Sequence, residues 1–365
     1  MILHSVGPGT GALSAPDISR ALCEAGLEIE VVLEPGSRSF IGLAAFAGIT
    51  ALVEKPSENP GILLFAPASS GVVARLAHGL SEDNSTVHAD DVLSAFVAPD
   101  LDAATARHPA VRRNLALLRD DGVRVIEGSD EGMASAGEVV AAVLGGIGGP
   151  LSGRRVVVTA GGTREPIDSV RFVGNRSSGK MGLAVAREAL YLGADVSVVA
   201  ANVEREEPGV GWFPVETVDE MKEAVMDLVG EADALIMAAA VSDFTPSERA
   251  GEKVRRRDGL RVEFTPTADI LAGVRQEYPG LFLIGFAATH GDAVADAREK
   301  LVSKGADIVV GNDISQTGIG FSSDENQVYI VSRDGERFVP RASKTDVARA
   351  ILDTMISEMS EEGRE

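Results

Sequence analysis

The chain has 365 residues, 34 Lys+Arg against 55 Asp+Glu, and a formal net charge of −21. With 45% hydrophobic and 24% charged residues it reads as an ordinary globular chain, and its length suggests two domains. The negative charge argues against nonspecific binding to nucleic acid or an anionic membrane, no apolar run of ~18 residues marks a transmembrane helix, and the single Cys23 excludes an intrachain disulfide or a multi-cysteine metal site.

The amino terminus, MILHSVGPGTG, lacks the basic segment and long apolar core of a secretory signal. A reducing cytoplasm is the expected location. The histidines show no metal-ligand spacing such as HExxH, so no metal ligand is assigned. In the first half IEVVLEP, ILLFAPAS, AFVAPD and VRVIEG read as strands, with helical patterns such as APDISRALCEAG and GVVARLAHGL between them. A helix, GEVVAAVL, leads into the Gly/Pro-dense stretch LGGIGGPLSG. This predicts a first domain over 1–145, a linker over 146–153, a second domain over 154–357 and a frayed acidic tail over 358–365. In the second domain RVVVTAGG, ADVSVVAA, DALIMAAAV, LFLIGFAAT and ADIVVGND read as buried strands. GLAVAREALYLG, VDEMKEAVMDLVG and DAVADAREKLVSKG carry apolar positions at helical spacing. The expected fold class is α/β: two doubly wound domains with mainly parallel sheets. Ligands of such sheets bind at the carboxyl ends of the strands.

Three segments stand at such ends. In the first, a strand finishes in Gly161, Gly162 and Thr163. After a loop, Ser177, Ser178, Gly179, Lys180, Met181 and Gly182 open a helix, where free backbone N–H groups and the helix dipole favour an anion. The alternative is a tight strand–loop–helix connection whose glycines serve geometry alone. Neither GxGxxG nor GxxxxGK[ST] is present. In the second, a strand ends near Ala238 and Ala239, Asp243 follows, and Lys253, Arg255, Arg256 and Arg257 form a basic cluster. Anion binding and a solvated face are equally compatible with it. In the third, Phe286 can stack on a base or sit in the core, and Lys300 and Lys304 share one helix face. Only seven of the 34 bases are lysine, and Lys180, Lys253, Lys300 and Lys304 are four of them. Where arginine is the default, retained lysine suggests sites that need a compact ammonium.

Residues 153–340 resemble the phosphopantothenate–cysteine ligase domain of the bacterial bifunctional coenzyme A enzyme family. That family carries TAGGTxEPID, NxSSGKMG, AAAVxDF, EKIKK, GFAAET and ANDV…GF.SD.N. This chain reads TAGGTREPID, NRSSGKMG, AAAVSDF, EKVRR, GFAAT and GNDISQTGIGFSSDEN, in the same order. The resemblance implies a Rossmann-like domain that couples phosphopantothenate to cysteine using CTP with Mg²⁺. The carboxylate attacks the α-phosphate to give an acyl-cytidylate and pyrophosphate, and the cysteine amine then displaces CMP. By correspondence Lys253 is the catalytic lysine, Asn175 contacts the acyl-cytidylate, and Arg171 precedes it in the same loop. The nucleotide site falls on Met237, Ala238, Ala239 and Asp243, on Ala268, Asp269, Ile270 and Leu271, and on Phe286, Lys300 and Lys304. Gly174, Ser169 and Arg255 depart from the family's usual residues. A homodimer through this domain is implied.

The first half resembles the family's flavoprotein-like decarboxylase domain at FAPASSGVVARLAHGLSEDN and HPAVRRNLALLRDDGVRVIEG. Its chemistry looks altered. The histidine before the APA strand is missing, PAMN reads Pro99-Asp100-Leu101-Asp102, and no cysteine follows residue 128. Asp100 and Asp102 would oppose an anionic substrate. The expectation is a domain that keeps the fold, lacks decarboxylase activity, and serves as scaffold or oligomerisation module. Weak FMN binding and a larger homo-oligomer stay open. The alternatives are the full bifunctional enzyme, a dinucleotide-binding oxidoreductase, and a noncatalytic nucleotide-binding regulator.

Overall fold

Short buried strands alternate with amphipathic helices throughout the computed structural model, which describes residues 1–53, 61–80, 94–128, 132–204, 206–207, 209–254, 261–315 and 323–362. Two units divide at Gly149 and Pro150. The first runs β1 (Ile2–Val6), α1 (Ala15–Glu24), β2 (Ile29–Leu33), β3 (Ala51–Leu52), β4 (Ile62–Ala68), α2 (Ser70–Ala77), β5 (Ser94–Pro99), α3 (Ala103–Arg107), α4 (Pro109–Asp120), β6 (Arg124–Val125) and α5 (Ala136–Ile147). Its six strands are all parallel, in the order β3-β2-β1-β4-β5-β6. All five residues of β1 are buried, which requires cover on both faces of the sheet.

The second unit begins with β7 (Arg155–Gly161), β8 (Arg164–Pro166), β9 (Phe172–Gly174), α6 (Lys180–Tyr191), β10 (Asp195–Ala201), β11 (Gly211–Val215), α7 (Val218–Val229) and β12 (Ala234–Met237). It continues with β13 (Phe244–Pro246), β14 (Phe264–Pro266), α8 (Ile270–Glu277), β15 (Phe282–Thr289), α9 (Ala293–Lys304), β16 (Ile308–Asp313), β17 (Glu325–Ser332), β18 (Glu336–Ser343) and α10 (Lys344–Glu362). The large sheet has the order β11-β10-β7-β12-β15-β16-β17-β18. Its first six strands are parallel and repeat the reversal seen in the first unit, now between β7 and β12. β17 and β18 add an antiparallel edge. All four residues of β12 are buried, so both sheet faces are covered. One face packs Val157, Leu235, Leu283 and Val309 against Met221, Val225 and Val274 of α7 and α8. α7 starts in a capping box, Thr217 with Glu220, and the buried Glu165 accepts the Val218 N–H at 3.0 Å.

Several boundaries differ from the sequence reading. α5 reaches Ile147, inside the stretch read as linker, and α10 reaches Glu362, so residues 358–362 are helical. The strand read as DALIMAAAV ends at Met237, because the chain must turn away at the reversal. The ribbons β8–β9 and β13–β14 have no counterpart in the sequence reading.

Gly161 ends β7 at φ +85°, and a Cβ there would lie 2.0 Å from the Ala201 carbonyl oxygen. The left-handed backbone alone costs an L-residue about 1–2 kcal/mol, and the overlap adds to it. Gly161→Ala is therefore expected to lower the stability of the second unit by ~2 kcal/mol or more. Trp212, the chain's single tryptophan, lies in β11 of that unit. Denaturant unfolding followed by its fluorescence reads the effect, and an unchanged midpoint would contradict the assigned geometry.

Candidate active site

Where β7 and β12 part, three hydrogen bonds tie the two departing loops together. The Ala239 N–H donates to Thr159 Oγ1 at 3.1 Å, the Ala240 N–H to the Gly161 carbonyl at 2.8 Å, and the Ser242 N–H to Thr163 Oγ1 at 2.9 Å. Thr159 and Thr163 are fully buried. Gly161, Gly162 and Thr163 thus stand behind the site as its buttress and are not in its lining. Gly182 brings α6 against β7: a Cβ there would meet the Thr159 carbonyl oxygen at 2.8 Å.

In front of this knot opens a cleft of about 580 Å³. Its lining takes in Asn175, Ser177, Ser178, Gly179, Lys180, Met181 and Gly182 from the loop and helix after β9. Met237, Ala238, Ala239 and Asp243 come from the end of β12; Ala268, Asp269, Ile270 and Leu271 enter α8; Phe286, Lys300 and Lys304 come from β15 and α9. Four segments distant in sequence therefore meet at one sheet end. Asn175 Nδ2 donates to the Val241 carbonyl at 2.9 Å, which joins the first two segments.

The cleft is cationic. Its lining has Arg176, Lys180, Lys300, Lys304 and Lys344 against Asp243 and Asp269, a surplus of positive charge in a chain of net −21. Asp269 caps α8 by accepting the Ala272 N–H at 3.0 Å and pairs with Lys304. Burial works against its ionisation, but the hydrogen bonds from Lys304 and Ala272 outweigh it and hold its carboxyl below the ordinary range. Lys300 donates to the Phe286 carbonyl at 2.6 Å. It is not a solvent-facing residue: burial, and then the charge of Lys304, lower its pKa. Phe286 is half-buried within β15, which continues to Thr289.

Lys253 and Arg171 lie outside the lining. Both are organised by Asp168, which is 2% exposed. Its Oδ1 accepts the N–H groups of Val170 and Arg171, and its Oδ2 accepts the Val254 N–H at 3.2 Å and pairs with the Arg171 guanidinium at 2.8 Å. Burial opposes ionisation of Asp168; these bonds keep its pKa low. Arg171 also donates to the Val254 carbonyl. The exposed Lys253 thus leaves from an anchored neighbour. Arg255, Arg256 and Arg257 lie outside the described residues. Sequence reasoning did not single out Asp168, although it ends the EPID of the quoted motif. It also passed over Lys344 and Asn326 in the lining, and the scarcity of lysine was the signal that marked Lys344.

Among the described residues no group of three or more His, Cys, Asp or Glu is placed to hold a metal ion, and no helix is long and apolar enough to cross a membrane.

A cationic cleft at the reversal of a doubly wound sheet defines an α/β protein with its crevice at the topological switch point. Residues 151–359 match the family described as DNA/pantothenate metabolism flavoprotein C-terminal domain. The chain is 34% identical over 390 residues to the coenzyme A biosynthesis bifunctional protein CoaBC of Bacillus subtilis (strain 168), covering 96% of this chain and 95% of that protein. It is also 34% identical over 293 residues to a cysteine/cysteine sulfinic acid decarboxylase from an unknown prokaryotic organism, covering 74% of this chain and 82% of that one. The crystal structure of the C-terminal domain of a CoaBC protein is similar at TM-score 0.51 and 34% identity, covering 58% of this chain and 99% of that domain. The chain belongs to the family of coenzyme A biosynthesis bifunctional proteins.

A lysine whose pKa falls on folding binds its proton less tightly in the native state, so its charge opposes folding below the native pKa. Lys300→Met is accordingly expected to raise the unfolding midpoint at neutral pH. It should also weaken binding of inorganic triphosphate by about tenfold or more, as for loss of a charge-assisted hydrogen bond. Calorimetric titration and denaturant unfolding read the two effects, and a parallel fall in both would contradict the assignment.

Proposed function

We propose that the second unit is a phosphopantothenate–cysteine ligase, acting in the cytoplasm as a homodimer and driven by CTP through an acyl-cytidylate. The observation that carries this reading is the cationic cleft built by the motif residues in an otherwise acidic chain. The reaction brings together a triphosphate and a phosphorylated carboxylate, and each needs a local reversal of the chain's sign. Mg²⁺ enters with CTP as part of the substrate; of the two exposed carboxylates of the lining, Asp269 is paired with Lys304 and Asp243 is the other.

In this reading Lys300 and Lys304 hold nucleotide phosphate, and Lys253 neutralises the charge that develops on the α-phosphate. Asn175 presents its amide beside the loop after β12, where it can donate to the acyl oxygen. The amine of cysteine then attacks the acyl carbon and CMP leaves. Asp168 sets the approach of Lys253 through Val254.

For the first unit we propose a scaffold without decarboxylase chemistry. The match to bifunctional relatives spans this unit as well, which favours FMN-dependent decarboxylation as the second reading. Its described residues do not fit the flavin. The glycine loop after β1 would have to face the flavin phosphate, yet the Gly11 N–H donates to Asp100 Oδ2 at 2.9 Å. A Cβ at Gly9 would lie 2.4 Å from the same oxygen. An internal carboxylate therefore stands at the loop. His4 is buried: its Nε2–H donates to the Ala66 carbonyl at 2.7 Å, so Nδ1 accepts from Ser19. Burial pushes its pKa down to about 4, so it is neutral. Cys23 donates to the Ile49 carbonyl, and burial, with Glu24, raises its pKa.

The test is purified protein with phosphopantothenate, cysteine, Mg²⁺ and each nucleoside triphosphate in turn, with products read by mass. The expected outcome is phosphopantothenoylcysteine, CMP and pyrophosphate with CTP, and no flavin absorbance. A yellow protein that releases CO₂ from phosphopantothenoylcysteine would establish the second reading instead. Lys253→Ala should lower turnover by ~10²–10³. Asn175→Asp replaces an amide donor by a charged acceptor, so acyl-cytidylate should accumulate; normal amide formation would remove Asn175 from this role.

A further inference from the structure

The turn between β8 and β9 closes on itself. The N–H groups of Ile167 and Asp168 both donate to the Arg171 carbonyl, at 2.8 and 3.2 Å. Asp168 Oδ1 accepts the N–H groups of Val170 and Arg171 at 2.8 and 2.7 Å. Asparagine or serine offers such a turn an equivalent acceptor. The other oxygen, Oδ2, accepts nothing from the backbone of the turn. It takes the Arg171 guanidinium at 2.8 Å and the Val254 N–H, 86 residues along the chain, at 3.2 Å.

Two more contacts follow the same route. The Ala250 N–H donates to the Ile167 carbonyl at 3.0 Å, and both terminal nitrogens of the Arg171 guanidinium lie 3.4 Å from the Val254 carbonyl oxygen. Residues 250–254 are thus fastened to the turn at each end, with Lys253 between. The Asp168 side chain is fully buried, whereas that of Arg171 is 38% exposed and Lys253 is exposed. The carboxylate holds from within, and the two cations keep open faces. Burying an ionised group in a ribbon off the core is costly, and the turn itself needs only one of the two oxygens.

We propose that Asp168 is a positioning residue of the ligation: through Oδ2 it presents Arg171 and Lys253, from segments far apart in sequence, as one preorganised pair. Asp168 does not line the cleft, so it acts through these two residues. A cation stabilises charge developing on a phosphate fully only when it is already in place, and a displacement of about 1 Å costs on the order of 10²-fold in rate. A free segment 250–254 would add its ordering entropy to the barrier at every turnover. The inference rests on the proposed ligation for its chemistry, whereas the anchor itself does not depend on it.

The experiment joins steady-state ligation by the full chain to hydrogen exchange of its backbone amides. Asp168→Asn puts an amide donor where the Val254 N–H needs an acceptor. Asp168→Ser keeps an acceptor for the turn and removes the second oxygen. Each should lower kcat about tenfold or more. The KM for CTP should change by less than about twofold, since Lys300 and Lys304 stand on α9. Added to Lys253→Ala, Asp168→Asn should cost less than it does alone, because a lysine that is gone cannot be misplaced. The Val254 amide should exchange about tenfold faster or more in both variants. Variants that bind CTP as the wild type does and keep its kcat would overturn the proposal. A loss fully additive with that of Lys253→Ala would overturn it too, as the mark of a merely structural residue. Unchanged exchange at Val254 would remove the anchor. Should Asp168→Asn fail to fold, Asp168→Ser carries the test. A wild-type chain that forms no amide would set aside the ligase reading, and exchange at Val254 would still decide the anchor.

Discussion

Between β7 and β12 the strand order of the second unit reverses, and the chains leaving these neighbours must part without stranding their backbone polar groups. Sheet pairing ends there, so the loops need other partners. Thr159 and Thr163 supply two of them with their hydroxyls, and the Gly161 carbonyl supplies a third. Only then is the loop from Ala238 to Asp243 fixed, and with it Asn175 through the Val241 carbonyl. The crevice exists because of the reversal, but its shape depends on these few bonds. An unpaired buried N–H costs about 1–3 kcal/mol, enough to favour one path for the loop over looser ones.

The electrostatics of the cleft work against the rest of the chain and partly against its own stability. Lys300 and Lys344 both hold their protons less tightly than a free lysine, with burial the first cause in each. Residues selected for folding alone would be apolar at such positions. Each of these lysines has instead a second lysine nearby, Lys304 or Lys180, and each of those is paired with an aspartate, Asp269 or Asp324. The arrangement keeps the empty cleft from being a bare cluster of cations. Under the proposed ligation an incoming anion would displace these carboxylates, both of which are exposed.

The strands of the parallel sheets were legible because burial on both faces leaves no polar alternation. RVVVTAG and FLIGFAAT read as unbroken apolar runs. The β8–β9 and β13–β14 ribbons were not, since they lie off the core and each carries proline; all three residues of β14 are exposed. The cleft was legible segment by segment through its glycine, alanine and lysine motifs. Its convergence was not, because the segments meet only through sheet order. Lys344 shows the limit most clearly. It stands at the start of a carboxy-terminal helix with no motif around it. Only the packing of α10 on α6 brings it to the cleft. Asp168 escaped notice for another reason: it touches no cleft residue directly, and its role is visible only in the backbone N–H groups it gathers.

The first unit makes the complementary point. Its strand order is that of the second, with the same reversal between β1 and β4, so topology offers a binding crevice in both. The second unit lines its crevice with lysine, pairs Lys304 and Lys180 with exposed aspartates, and spends the Thr159 and Thr163 hydroxyls on backbone. In the first unit the loop after β1 meets Asp100, and a Gly11 N–H that could greet a phosphate is bonded to that carboxylate. A dianion brought there would meet like charge at hydrogen-bond distance. Two copies of one architecture thus differ in the sign of the residues at a single strand end, a difference that the fold alone does not reveal.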